Sequence, residues 1–260
     1  MSPESDGIDD SQDVLYRLVD RESGEVLLAA EDLHNYFMEE DREPPETVTF
    51  VRAHQVGRAR RKTEQAELQV VDRQGNTIGT YYIGRVSAAF RHELVPSGVD
   101  RPDLDYSFLG YTCEYPRAGE IWRQWAATGR PVKPGEWASH PSDWHESWIH
   151  VVQTAWFDSG RSTTRYETGG TAVIDGSGFT TRDGFYCALG EAVNGPGGYF
   201  GSNRDAIIDC LRTMRRDGAA PFRLVWHNFA ASREVLGSDF TESVVSLFER
   251  AAVETELSPG

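Results

Sequence analysis

Residues 185–211 constrain the fold more than any other stretch, because two helical patterns meet there through a loop with little conformational choice. Phe185, Ala188, Leu189 and Val193 recur at helical spacing and give the first pattern one apolar face. Asn194-Gly195-Pro196-Gly197-Gly198 ends it, since proline has no amide hydrogen to donate and the glycines favour turns. Asn203 is the expected cap of a second helix, its side-chain oxygen accepting from a free first-turn amide. Asp205 then falls at the positive end of the helix dipole, and Asp209, one turn on, projects from the same face. On residue pattern alone, such an acidic pair reads as a solvated helix face.

Tyr199-Phe-Gly-Ser-Asn-Arg-Asp-Ala206 followed by Asp209-Cys-Leu211 resembles the barstar family of intracellular ribonuclease inhibitors. Residues 171–176 are similar to that family's first strand and turn, 180–193 to its first helix, 221–229 to its second strand with a trailing aromatic, and 242–248 to its last helix. The resemblance covers about one third of the chain, residues 170–250, with the elements in family order. It implies a barstar-like α/β domain, a small parallel sheet packed with helices, whose loop and second helix plug a ribonuclease active site. It further implies that Tyr199 packs on the enzyme's substrate-recognition histidine and that Gly201 and Asn203 hold the loop close to it. Asp205 and Asp209 meet the enzyme's arginines and lysine, Asp209 taking the place of the substrate phosphate. The physical logic is general: a ribonuclease site concentrates cations, so a preorganised helix bearing carboxylates mimics the anion and speeds association.

The sequence departs from the family at several positions. Ile208 stands where the family has a tryptophan beside the key aspartate, which alters the partner surface. Arg204, Arg212, Arg215 and Arg216 surround the second helix with positive charge, and Arg250 stands near a position where the family has a contacting glutamate. After Phe248 only Glu249-Arg-Ala-Ala-Val-Glu-Thr-Glu-Leu-Ser-Pro-Gly260 remains, which reads as lacking the family's final parallel strand. The sheet edge so exposed is expected to be covered by the first domain or by a partner.

With 260 residues the chain has room for two cores. The expected division is an acidic disordered tail over residues 1–13, an α+β domain over 14–168 and the barstar-like domain over 169–260. The net charge of −15 is concentrated at the start, where residues 1–46 carry 15 acidic and 3 basic side chains. Nucleic acid and anionic membrane are therefore excluded as ligands, since both require a positive surface. The one basic run, residues 58–62, reads as an exposed loop. No apolar run approaches the roughly 18 residues of a membrane span, and the first residues lack a secretion signal. Cys113, Cys187 and Cys210 form neither a metal-type pair nor an even disulfide set, which fits a reducing cytoplasm.

The first domain reads as strands before helices, an α+β domain rich in antiparallel hairpins. Residues 14–19 and 25–28 flank a turn, as do 66–71 and 77–86, with the β-branched and aromatic alternation of hairpins. A strand is expected at 107–112, a short amphipathic helix at 118–126, and a longer helix at 143–157 opened by a capping box of Asp143 and Glu146. His140, Asp143, His145, Glu146 and His150 cluster there, but His145 and His150 fall on different helix faces and give no zinc-type spacing. Trp144, Trp148, Val151 and Ala155 form an apolar stripe, so a core helix with histidines at its margin is the expected outcome.

These observations converge on a cytoplasmic, non-enzymatic inhibitor requiring no cofactor and no metal. Its partner is expected to be a basic extracellular ribonuclease or related toxin, met through Tyr199, Gly201, Asn203, Asp205, Ile208 and Asp209. Two alternatives stay open. One is a binding module or immunity protein for a partner that is not a ribonuclease, which the arginines favour; the other is an enzyme built on the histidine cluster.

Overall fold

A computed structural model describes residues 13–39, 47–55, 62–88, 104–109, 111–160, 170–218 and 222–259. The expected acidic tail, apart from Asp13, and the basic run, apart from Lys62, lie outside the described residues. The chain divides into two compact units, Met1–Gly129 and Arg130–Gly260.

The first unit is built on strands β1 (Tyr16–Asp20), β2 (Val26–Ala30), β3 (Asp32–His34), β4 (Thr47–Val51) and β5 (His54–Gln55). These are followed by β6 (Lys62–Val71), β7 (Thr77–Ala88) and β8 (Leu104–Phe108). The pairs β1–β2 and β6–β7 are the two expected hairpins, whereas β8 begins earlier than the strand expected at 107–112. All the pairings are antiparallel, in the order β3-β4-β8-β7-β6-β1-β2-β5. The segments β2 and β3 nearly run on from each other, as do β4 and β5, and their pairs keep one register from Leu28↔Gln55 to His34↔Thr49. The two ends of the sheet are thus halves of a single ladder. The sheet closes on itself as a barrel, which removes the free edges that would otherwise invite pairing with another chain.

Alternating side chains fill this barrel: Leu18, Val48, Phe50, Leu68, Val70 and Ile83 are all buried. Helix α1 (Ala118–Trp125) inserts Trp122, whose Nε1 donates to the Tyr81 hydroxyl at 2.8 Å, satisfying the buried indole.

The second unit begins before the expected boundary. Two 3-10 turns, Glu136–Ser139 and Ser142–Trp144, lead into α2 (His145–Asp158). That helix was expected to close the first domain; its stripe of Trp148, Val151, Val152 and Trp156 is instead buried within the second unit, where α2 packs against α3 (Arg182–Asn194). The expected capping box is not formed. The 3-10 turn runs directly into α2 with Trp144 already helical, so no extended residue remains to cap it.

A three-stranded parallel sheet forms the centre of this unit, in the order β11-β10-β9, where β9 is Thr171–Asp175, β10 is Arg223–His227 and β11 is Glu254–Leu257. Helices α3 and α4 (Arg204–Arg216) connect β9 to β10. Helices α5 (Phe229–Leu236) and α6 (Ser238–Arg250) connect β10 to β11, as parallel pairing requires. The final strand, expected to be missing, is therefore present. It pairs from Arg223↔Glu254 to Trp226↔Leu257, and Ser258 N donates to the Trp226 carbonyl at 2.9 Å. Its glutamates face solvent, and Arg223 bridges Glu254 and Glu256 across the sheet. Polar outward residues on a four-residue edge strand gave it the look of a charged tail.

Candidate functional site

Helix α3 ends where the glycine-rich loop begins, and buried contacts fix the loop's path. Asn194, 1% exposed, donates from Nδ2 to the Tyr199 carbonyl at 2.7 Å, and Gly198 N donates to the Gly195 carbonyl at 2.8 Å. The loop lies directly on α3: a Cβ on Gly190 would come within 2.2 Å of the Gly198 carbonyl oxygen. Gly201 adopts φ +99°, and a Cβ there would stand 2.7 Å from the Ile207 amide nitrogen in the first turn of α4. Both contacts are closer than any side chain tolerates, so only glycine lets the loop seat α4 in this position.

Glu191 braces the start of the loop from the other side. Its Oε2 accepts from the Gly135 amide at 2.7 Å and the Trp137 indole at 3.1 Å, tying α3 to the first 3-10 turn. Burial raises the Glu191 carboxyl above its ordinary range, while the Gly135 amide, the Trp137 indole and the Gly197 amide pull it back down. Nothing in a lone glutamate near a helix end marked this role in the sequence.

Asn203 caps α4 as expected: its backbone is extended, and its Oδ1 accepts from the Ala206 amide at 2.8 Å. Asp205 and Asp209 both face solvent, one turn apart. Asp205 makes no ion pair among the described residues, whereas Asp209 accepts from Arg212 at 3.2 Å with about three quarters of each side chain exposed. Ile208 lies half-buried on the flank of the same helix. Ile207, Cys210 and Met214 occupy the opposite face and are buried, leaving the acidic stripe uppermost.

Tyr199, the residue expected to pack on a partner, is buried in the structure. It is 3% exposed, its ring lies edge-on to Phe157 of α2 at 5.5 Å, and its hydroxyl is 3.4 Å from the Ser202 hydroxyl, which reaches Gln153 of α2. Helix α2 therefore covers the ring that was expected to stack on a partner, and burial raises its phenol above the ordinary value. The cover comes from a helix distant in sequence, so no local pattern could have exposed it. Gly201 too is buried, acting on the loop from beneath.

The histidine cluster is absorbed into aromatic packing. His140 stacks on Trp144 at 4.6 Å, and the buried His145 lies edge-on to Trp137 with Nδ1 3.2 Å from the Thr181 hydroxyl. Burial lowers the pKa of His145 and pushes that of His150 down to about 4, so both are neutral near pH 7. Among the described residues no three His, Cys, Asp or Glu side chains converge as a metal site. All three cysteines are buried, and none forms a disulfide among the described residues. No helix among the described residues is long and apolar enough to cross a membrane.

Residues 170–258 match the model of the Barstar family, described as barstar (barnase inhibitor). The matched segment runs from β9 through β11 and so includes the loop, α4 and the final strand, while α2 precedes it. The match covers the C-terminal third of the chain. No curated protein matches the chain.

Proposed function

We propose that this chain is a protein inhibitor that binds a basic ribonuclease through the 195–201 loop and α4, with Asp205 and Asp209 standing in for the substrate phosphate. The observation that carries the reading is the fixed presentation of α4. Its first turn is capped by Asn203 and its approach is set by Gly201, so two carboxylates project from a helix whose position is already determined. Preorganisation of this kind lowers the ordering cost of association, and the acidic stripe steers a cationic partner. The match to a family named for barnase inhibition supports the same assignment. Buried cysteines that form no disulfide among the described residues suit a reducing compartment, so on this reading inhibition protects the producing cell from within. The buried Tyr199 takes no part in the contact unless α2 moves away; its place in the reading is to hold the loop.

A second reading, a binding module or immunity protein for a toxin that is not a ribonuclease, draws support from Arg212, which neutralises Asp209 within the same helix. Titration of small secreted ribonucleases with the protein, following RNA cleavage, separates the two. The inhibitor reading expects stoichiometric inhibition that the Asp205→Ala/Asp209→Ala double variant weakens by about a hundredfold or more, as loss of charge-assisted hydrogen bonds requires. Asp217→Ala, at the far end of α4, should change little. Equal loss from both variants, or no inhibition by the wild type, would refute it.

A further inference from the structure

Beside the acidic stripe, α4 and α6 enclose a groove of about 350 Å³. Ile208 and Leu211 of α4 and Leu247 of α6 form an apolar floor, and Arg212, Arg215 and Arg250 stand around it. Arg212 is held by Asp209, and among the described residues the Arg215 guanidinium donates only to the Ala251 carbonyl, at 3.4 Å. Neither Arg215 nor Arg250 has a carboxylate partner among the described residues. Arg215 and Arg250, with the Asp209-paired Arg212 beside them, set a positive field over an apolar slot, and an approaching anion is drawn to it. The volume suits one large apolar side chain with its flanking backbone.

We propose that this groove docks an acidic segment of a protein partner, one apolar side chain entering between Ile208 and Leu247 while flanking carboxylates meet Arg215 and Arg250. The inference rests on α4 being a partner-binding helix and adds that the partner carries an acidic stretch beside whatever faces Asp205. Charge complementarity chooses the occupant. A basic or neutral peptide would leave the arginines unpaired over a desolvated slot, and a wholly polar one would leave the floor wet.

The test is fluorescence anisotropy of the full chain with a fluorescein-labelled peptide of glutamates around a single leucine. Its counterparts replace the glutamates by lysine, or the leucine by serine. Saturable binding of the first is expected, about tenfold or more weaker for each counterpart and falling as salt rises. The exposed pair Arg215→Glu/Arg250→Glu should lower affinity by about tenfold or more with the circular dichroism spectrum unchanged, while Arg215→Lys/Arg250→Lys retains most of it. Asp205→Ala/Asp209→Ala frees Arg212 beside the groove and should strengthen peptide binding severalfold while it weakens ribonuclease inhibition, so that failure of the ribonuclease reading and failure of the groove register separately. Absence of saturable binding, equal binding of the lysine peptide, or a self-association that the same charge reversal abolishes would each overturn the proposal, the last by assigning the groove to a second copy of the chain.

Discussion

Replacing Gly201 by alanine tests whether the loop positions α4 rigidly. At φ +99° an L side chain costs about 1–2 kcal/mol in backbone strain alone. The new Cβ would also lie 2.7 Å from the Ile207 nitrogen and 3.0 Å from its Cα, both backbone atoms of a helix that no rotamer change can move aside. Relief requires displacing the first turn of α4, which adds about 1–2 kcal/mol of the kind seen on overpacking. Alanine recovers about 0.4–1 kcal/mol by restricting the unfolded chain, leaving a net loss of about 2–3 kcal/mol. Gly218→Ala supplies the control: its φ is +73° and nothing lies within 4 Å of the added carbon, so only the strain remains, largely offset, at about 1 kcal/mol or less. Hydrogen exchange followed by mass spectrometry over residues 199–216 reads the local opening free energy directly. Gly201→Ala should reduce protection of the first turns of α4 by about thirtyfold to a hundredfold, and Gly218→Ala by less than about tenfold. Equal losses from the two variants would show that the close approach to Ile207 contributes nothing, and the rigid-loop argument would fail.

Two further predictions concern stability. Asn203→Ala removes the acceptor for the Ala206 amide and should cost about 1 kcal/mol in urea denaturation, whereas Asn203→Asp, an equally good cap, should cost little. For His150, burial holds the folded pKa near 4, below the ordinary 6.5, so the unfolded chain takes up the proton first as pH falls. Stability from this group is present above about pH 6.5 and is lost between there and about pH 4, to a total of about 3 kcal/mol. His145 acts in the same direction, while Glu191 and Asp183, both raised by burial, act in the opposite one and lose their contribution as pH rises. The difference between wild type and His150→Gln isolates the imidazole: the variant should show a flatter fall across that window, and parallel curves would contradict the assignment.

What the sequence disclosed and withheld follows from the range of the interactions. The two hairpins, α1 and the cap at Asn203 depend on neighbours in sequence, where period and turn chemistry act, and they stand where expected. Barrel closure does not, because β3 and β5 are three and two residues long and acquire strand character only from distant partners. The last strand was hidden for a related reason: it lies at the sheet edge, and its outward glutamates resemble a solvated tail. Helix α2 was recognisable as a helix but not as part of the second unit, since nothing in its own stripe says which surface will bury it. Tyr199 shows the same limit at the site. Its motif is legible, but its burial is imposed by Phe157 and Gln153 from another helix.

The arginines of α4 bear differently on the two carboxylates, and the difference decides what they can do. Asp209 and Arg212 form an exposed pair one turn apart, worth about 0.3–0.5 kcal/mol and weakened further by salt. A cation from a partner that desolvates Asp209 offers a charge-assisted bond of about 1.5–3 kcal/mol, so the internal pair is displaced at small cost. Arg212 is then released towards the groove it shares with Arg215 and Arg250, where an anion on the same partner would receive it. Asp205, at the positive end of the helix and without an ion pair among the described residues, needs no such exchange. A uniformly basic surface would satisfy the carboxylates and leave the released arginines opposed to it. On the proposed reading, only a partner with a cationic centre and an acidic flank would satisfy both, and the arginines would select among partners of the acidic stripe rather than abolish it.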